Sequence, residues 1–86
     1  LGTAEIYSQV EKFDEIKDSI VVGQSWDNDI RIVLFIVLNQ NYKLNEDLLL
    51  KIKKQIKENA SPRHVPTKII SVLDIPRTKN GKIVEL

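Results

Sequence analysis

Ile30-Arg31-Ile32-Val33-Leu34-Phe35-Ile36-Val37-Leu38 is the stretch on which the fold turns. Nine residues with one polar interruption are too few for a membrane-spanning helix, which needs about 20. The run is β-branched, and it stays apolar on both alternating faces. That pattern belongs to a central strand covered on both sides.

Toward the C-terminus, Asn39-Gln40-Asn41 reads as a turn, and Asn45 as the cap of a long helix with Glu46 and Asp47 in its first turn. Leu49, Ile52, Ile56 and Ala60, widened by Leu48, mark the buried stripe of that helix. Lys51, Lys53, Lys54 and Lys57 lie off it. Ser61-Pro62 ends the helix, and Lys68 to Leu73 is the next strand. Strand, helix, strand is a crossover, which predicts a parallel, right-handed connection.

Toward the N-terminus, Ser19-Ile20-Val21-Val22-Gly23 predicts a second strand, paired antiparallel with the first across a polar loop from Gln24 to Asp29. Trp26, in that loop, reads as a lid over the sheet edge or as a contact surface. Thr3 caps a first helix over about Ala4 to Lys12, with Ile6, Val10 and Phe13 on one face. Phe13 and Ile16 fall in the connection that follows. The fold class is therefore α+β: a small mixed three-stranded sheet with helices packed on it. All 86 residues form a single domain (1–86). The chain opens on Leu1, directly before a helix start, and ends on Val84-Glu85-Leu86 without a stop signal. Both ends read as cuts through a larger protein.

Composition narrows the chemistry. With no cysteine and one histidine, His64, there is neither a thiolate site nor a His-rich metal centre. No basic stretch leads into an apolar core at the N-terminus, so no signal peptide is read. Net charge is +1, but residues 1–29 hold seven acids against two bases, and residues 30–86 hold eleven bases against five acids. The basic second half suits an anionic partner such as a nucleotide, a phosphate or a nucleic acid, but composition alone favours a solvated surface of mixed charge.

Three segments carry candidate chemistry. Pro76-Arg77-Thr78-Lys79-Asn80-Gly81-Lys82 holds three cations, no acid and an Asn-Gly turn, which would present Lys82 with little bulk around it. It is no Walker A loop, because no G-x-x-x-x-G-K-[ST] occurs. Ser61-Pro62-Arg63-His64-Val65-Pro66 reads as an extended bend, and a rigid helix-to-strand connection explains it; His64 has no carboxylate or nucleophile at a recognisable spacing. Lys53 and Lys57, one turn apart, share a helix face with Lys54 nearby, as a phosphate-binding patch or as plain solvated charge.

Taken together and in order, Gly2-Thr3-Ala4-Glu5-Ile6, Ser61-Pro62-Arg63-His64-Val65-Pro66 and Ile75 to Glu85 resemble the C-terminal domain of adenylate-forming acyl-CoA synthetases. The P-R-H-V-P and N-G-K-x-V-E versions are most similar to those of the acetoacetyl-CoA synthetases. Acetyl-CoA synthetases usually carry S-G-K instead. The resemblance implies a lid domain on a hinge, partnered by a large N-terminal adenylation domain of the same chain. It implies ATP, CoA and a small carboxylic acid as substrates, with Mg²⁺ accompanying ATP and bound mainly outside this segment. It also implies a cytoplasmic ligase with neither a membrane nor a nucleic-acid partner.

In such enzymes the acid is adenylated, the lid rotates, and the CoA thiol attacks the acyl carbon. By the resemblance, Lys82 stands at the adenylation lysine. Lys57, twenty-five residues earlier, matches an Arg that contacts the CoA 3′-phosphate in related acetyl-CoA synthetases. The acid and ATP pockets would lie outside the chain, which alone should not turn over substrate. Other readings stay open: another short-chain acyl-CoA synthetase, a plain interaction module, or a free-standing basic nucleic-acid-binding module. The last would lack an aromatic stacking platform, since Lys43 to Lys82 contains no Phe, Tyr or Trp.

Overall fold

Apolar alternation in the two long strands leaves both faces of one sheet to be covered, and the chain covers them differently. In the computed structural model, which describes residues 3–26 and 29–75, the order is α1 (Thr3–Val10), β1 (Ile16–Trp26), β2 (Asp29–Leu38), α2 (Glu46–Asn59), a 3₁₀ turn (Pro62–His64) and β3 (Lys68–Ser71). β2 is central in a three-stranded sheet ordered β1-β2-β3. β1 pairs with it antiparallel, from Ile16 opposite Leu38 to Trp26 opposite Asp29. β3 pairs with it parallel, from Val33 beside Lys68 to Ile36 beside Ser71. The mixed α+β sheet expected from the sequence is the one observed.

One face carries both helices. Ile32, Leu34 and Ile36 of β2 and Val21 of β1 pack with Ile6 and Val10 of α1 and Leu48, Ile52 and Ile56 of α2. Asn45 caps α2 as expected, its Oδ1 accepting from Leu48 N–H at 2.8 Å. The stripe is centred on Leu48, Ile52 and Ile56, at i, i+4 and i+8. Leu49 is half-buried, so the expected centre shifts by one residue. Helix α1 stops at Val10 and not at Lys12, with Glu11 N–H still donating to the Tyr7 carbonyl at 2.9 Å.

The other face is closed by the chain that leaves β3. Ile20, Val37 and Ile75 are buried together there, with Val22, Phe35 and Val72 against them. This shortens β3, which ends at Ser71 rather than Leu73. Val72 N–H makes a last bond to the Ile36 carbonyl at 2.8 Å, and the backbone then turns over the sheet and leaves Leu73 exposed.

The hairpin is longer than expected. β1 begins at Ile16, which packs against the core instead of sitting in a connection. A register shift between Ile16 and Asp18 accommodates Lys17. The expected loop from Gln24 pairs as strand, with Gln24 opposite Arg31 and Ser25 opposite Ile30. Backbone ladders form whatever the side chain, so polar residues at an exposed hairpin end conceal a strand from pattern reading. The lid expected of the Trp26 side chain falls outside the described residues.

Candidate functional site

α2 presents its cations on the side away from Leu48, Ile52 and Ile56. Lys53, Lys54 and Lys57 are exposed, and with Leu50, Glu58 and Val65 they line a shallow groove. Lys57 lies in the last turn of α2, where the helix dipole favours a cation. The same helix periodicity that buries one row of side chains therefore gathers the lysines on one surface. Leu50, one turn before Lys53 and Lys54, is 65% exposed and gives that surface an apolar patch.

The connection after α2 is a 3₁₀ turn, not the extended bend expected from its two prolines. Pro62 opens the turn because its fixed φ suits a first helical position. The extended backbone is confined to Ser61 (φ −168°, ψ 164°) and Val65 (φ −68°, ψ 122°), each of which precedes a proline. This geometry turns His64 inward. Its Nδ1 lies 2.6 Å from Ser61 Oγ, and its Nε2 lies 4.0 Å from the carboxylate of Glu5 on α1. The histidine thus does have a hydroxyl and a carboxylate beside it, which spacing along the chain had not revealed. Ser61 is bound through its own turn, and the group clasps α1 to the end of α2.

Arg63 points the other way. It is exposed and, with Asp29, Ile30, Ile32, Val65 and Thr67, lines a second groove. Thr67 N–H donates to the Ile32 carbonyl at 2.8 Å and starts the β2–β3 pairing, which fixes this wall.

Lys82 and the whole Pro76 to Lys82 segment lie outside the described residues. Their point of departure is described: Ile75 is 3% exposed, and its N–H donates to Asp74 Oδ1 at 2.8 Å. The structure brings Lys53, Lys54 and Lys57 together as their spacing predicted. Leu50, which the sequence reading did not single out as a site residue, joins the same surface, while Arg63 lines the neighbouring groove. No group of three or more His, Asp or Glu side chains that could hold a metal occurs among the described residues. None of their helices is long and apolar enough to cross a membrane.

Comparison with known proteins agrees with this architecture. The chain is 57% identical over all 86 residues to acetoacetyl-coenzyme A synthetase of Rhizobium meliloti (strain 1021), of which it covers 13%. It is 42% identical over 99% of its length to the acetoacetyl-CoA synthetase of Gallus gallus, again covering 13% of that protein. A solved acetoacetyl-CoA synthetase from Streptomyces lividans superposes with a TM-score of 0.88 at 41% identity, covering 100% of this chain and 13% of that one. The chain thus spans about an eighth of the relatives it matches. The profile of the AMP-binding enzyme C-terminal domain runs from residue 5 to residue 82, nearly end to end, and the chain belongs to that family.

Proposed function

We infer that residues 1–86 form the C-terminal lid of an ATP-dependent acyl-CoA ligase whose acid is acetoacetate. The observation that carries this reading is the 57% identity to the Rhizobium acetoacetyl-coenzyme A synthetase across the whole chain. The reaction converts acetoacetate, ATP and CoA to acetoacetyl-CoA, AMP and pyrophosphate in two halves. The carboxylate attacks the α-phosphorus of ATP and pyrophosphate leaves; the CoA thiol then attacks the acyl carbon and AMP leaves.

Lys82 serves the first half. Negative charge concentrates as carboxylate and α-phosphate approach, and an ammonium group can face both. The lid also keeps water from the adenylate. Lys57 serves the second half, as a point charge for the 3′-phosphate of CoA. It carries the charge of an Arg without the bidentate fork. The N-terminal adenylation domain of the same chain supplies the acid and ATP pockets. Mg²⁺ accompanies ATP and is held mainly there. The setting is the cytoplasm, where both cosubstrates occur.

The test is pyrophosphate release by the full-length protein with acetoacetate, acetate or no acid. Acetoacetate should give the highest kcat/KM. Equal or better turnover of acetate would move the protein to another short-chain acyl-CoA synthetase. No acid-dependent release at all would remove the ligase reading.

A further inference from the structure

Leu73 is 99% exposed, more than any other large apolar side chain among the described residues. Its exposure is fixed from both sides. Val72 packs against the second face of the sheet, and its N–H donates to the Ile36 carbonyl at 2.8 Å. Ile75 is buried, with its N–H on Asp74 Oδ1 at 2.8 Å. Two anchored residues thus hold Leu73 out where the domain itself does not cover it. Leu73 borders a groove at the ends of β2 and β3, together with Val37, Leu38, Tyr42, Lys43 and Leu44. Tyr42 is 48% exposed, and its N–H donates to the Asn39 carbonyl at 3.2 Å, which holds its backbone in a closed turn. Lys43 is the one charged residue among those that line the groove. A lone exposed leucine is ordinary on a surface. One that stands beside a half-exposed tyrosine, over a groove floored by Val37, Leu38 and Leu44, makes a contiguous apolar patch of the kind that marks an interface.

We propose that this groove docks the N-terminal adenylation domain of the same chain in the orientation that adenylates the acid, with Leu73 as the anchor. This rests on the reading of Lys82 as the adenylation lysine. Lys82 follows Ile75 by seven residues, which reach at most about 25 Å when fully extended. Delivery of Lys82 to the α-phosphate in that domain therefore brings the Ile75 end of the lid against it, and Leu73 stands at that end. The chain covers 13% of the relatives it matches, so the body it closes on is much the larger one. The surface that meets the groove is apolar opposite Leu73 and Tyr42, with a carboxylate or carbonyl oxygen opposite Lys43. Leu44, in the groove, precedes the first turn of α2, and Lys57 lies in its last turn, 13 residues on and about 20 Å away along the axis. Docking at one end of α2 thus serves the adenylating half, and the lysine face at the other end is left to the second half.

The experiment compares the two half-reactions in the full-length enzyme. Leu73→Asp should lower kcat for acid-dependent pyrophosphate release by about 10- to 100-fold, the effect of losing one buried leucine contact. The KM for ATP should hold, because the ATP pocket belongs to the other domain. Thioester formation from pre-formed acyl-adenylate and CoA should be unchanged, and Leu73→Met should recover most of the loss. Unchanged pyrophosphate release by Leu73→Asp overturns the proposal. So does an equal loss in both halves, which would mark a structural role. A second readout does not depend on activity. A benzophenone side chain placed at Leu73 and photolysed in the presence of ATP should crosslink within one chain, to a segment N-terminal to residue 1. A crosslink between two chains would seat a second copy in the groove, and no crosslink would leave the groove to solvent; either result overturns the proposal. The readings beneath it fail separately: the ligase if the wild type releases no acid-dependent pyrophosphate, and Lys82 if Lys82→Ala still releases it.

Discussion

The hydroxyl of Tyr7 accepts a hydrogen bond of 2.8 Å from the backbone N–H of Val21. Val21 pairs with Leu34 across the hairpin, yet this N–H faces the free edge of β1. α1 therefore closes one position of an edge that would otherwise present an unpaired donor. Tyr7→Phe keeps the ring and removes the acceptor, leaving the donor of a buried residue unpaired. Chemical denaturation should show a loss of about 1–3 kcal/mol. Unchanged stability would mean that water reaches Val21.

The two leucine-type positions on α2 should separate sharply. Ile52 is fully buried against α1 and β2, and Leu50 is 65% exposed. Ile52→Ala should cost about 2–5 kcal/mol through lost burial and the cavity left behind. Leu50→Ala should stay within about 0.5 kcal/mol, as surface substitutions do. Similar losses for both in denaturant titrations would contradict the assigned buried stripe.

In the full-length enzyme, Lys82→Ala should abolish adenylation and spare thioester formation. Pre-formed acyl-adenylate with CoA isolates the second half. If that half falls as far as ATP-dependent pyrophosphate release, Lys82 does not have the assigned role.

Lys57→Ala should raise the KM for CoA and leave the parameters for ATP and acid unchanged. Lys57→Arg adds the fork that suits phosphate and should bind CoA at least as well as wild type. Weaker CoA binding by the Arg variant would show that the position does not face a phosphate.

The isolated chain of residues 1–86 should fold, since one continuous core spans α1, α2 and the sheet. It should bind ATP only weakly, because the proposal puts most of the ATP pocket in the N-terminal domain. Micromolar ATP binding in calorimetry would argue against a lid.

Local chemistry decides what could be read without a structure. The strand from Ile30 to Leu38 was legible because an apolar β-branched run has one good use in a small domain. The cap at Asn45 was legible because a carbonyl oxygen three residues before Leu48 N–H has one geometry available. The grouping of Lys53, Lys54 and Lys57 followed from helix periodicity alone, and the resemblance of the three motifs pointed to the family that the comparisons show. The tertiary structure decided what depends on partners remote in the chain. The Gln55 amide donates to Gln9 Oε1 at 2.9 Å, 46 residues away, and no periodicity predicts such a pair. His64 gained Ser61 and Glu5 as neighbours only when the 3₁₀ turn swung its ring toward α1. β3 ended early because Val72 and Ile75 were needed over the bare second face of the sheet. Arg63 came to share Val65 with the lysines of α2 through the same turn. Sequence patterns report the few residues before and after a position. The meeting of two grooves at one valine depends on how whole elements pack, because the burial that drives packing is non-directional and is satisfied only by the assembled fold.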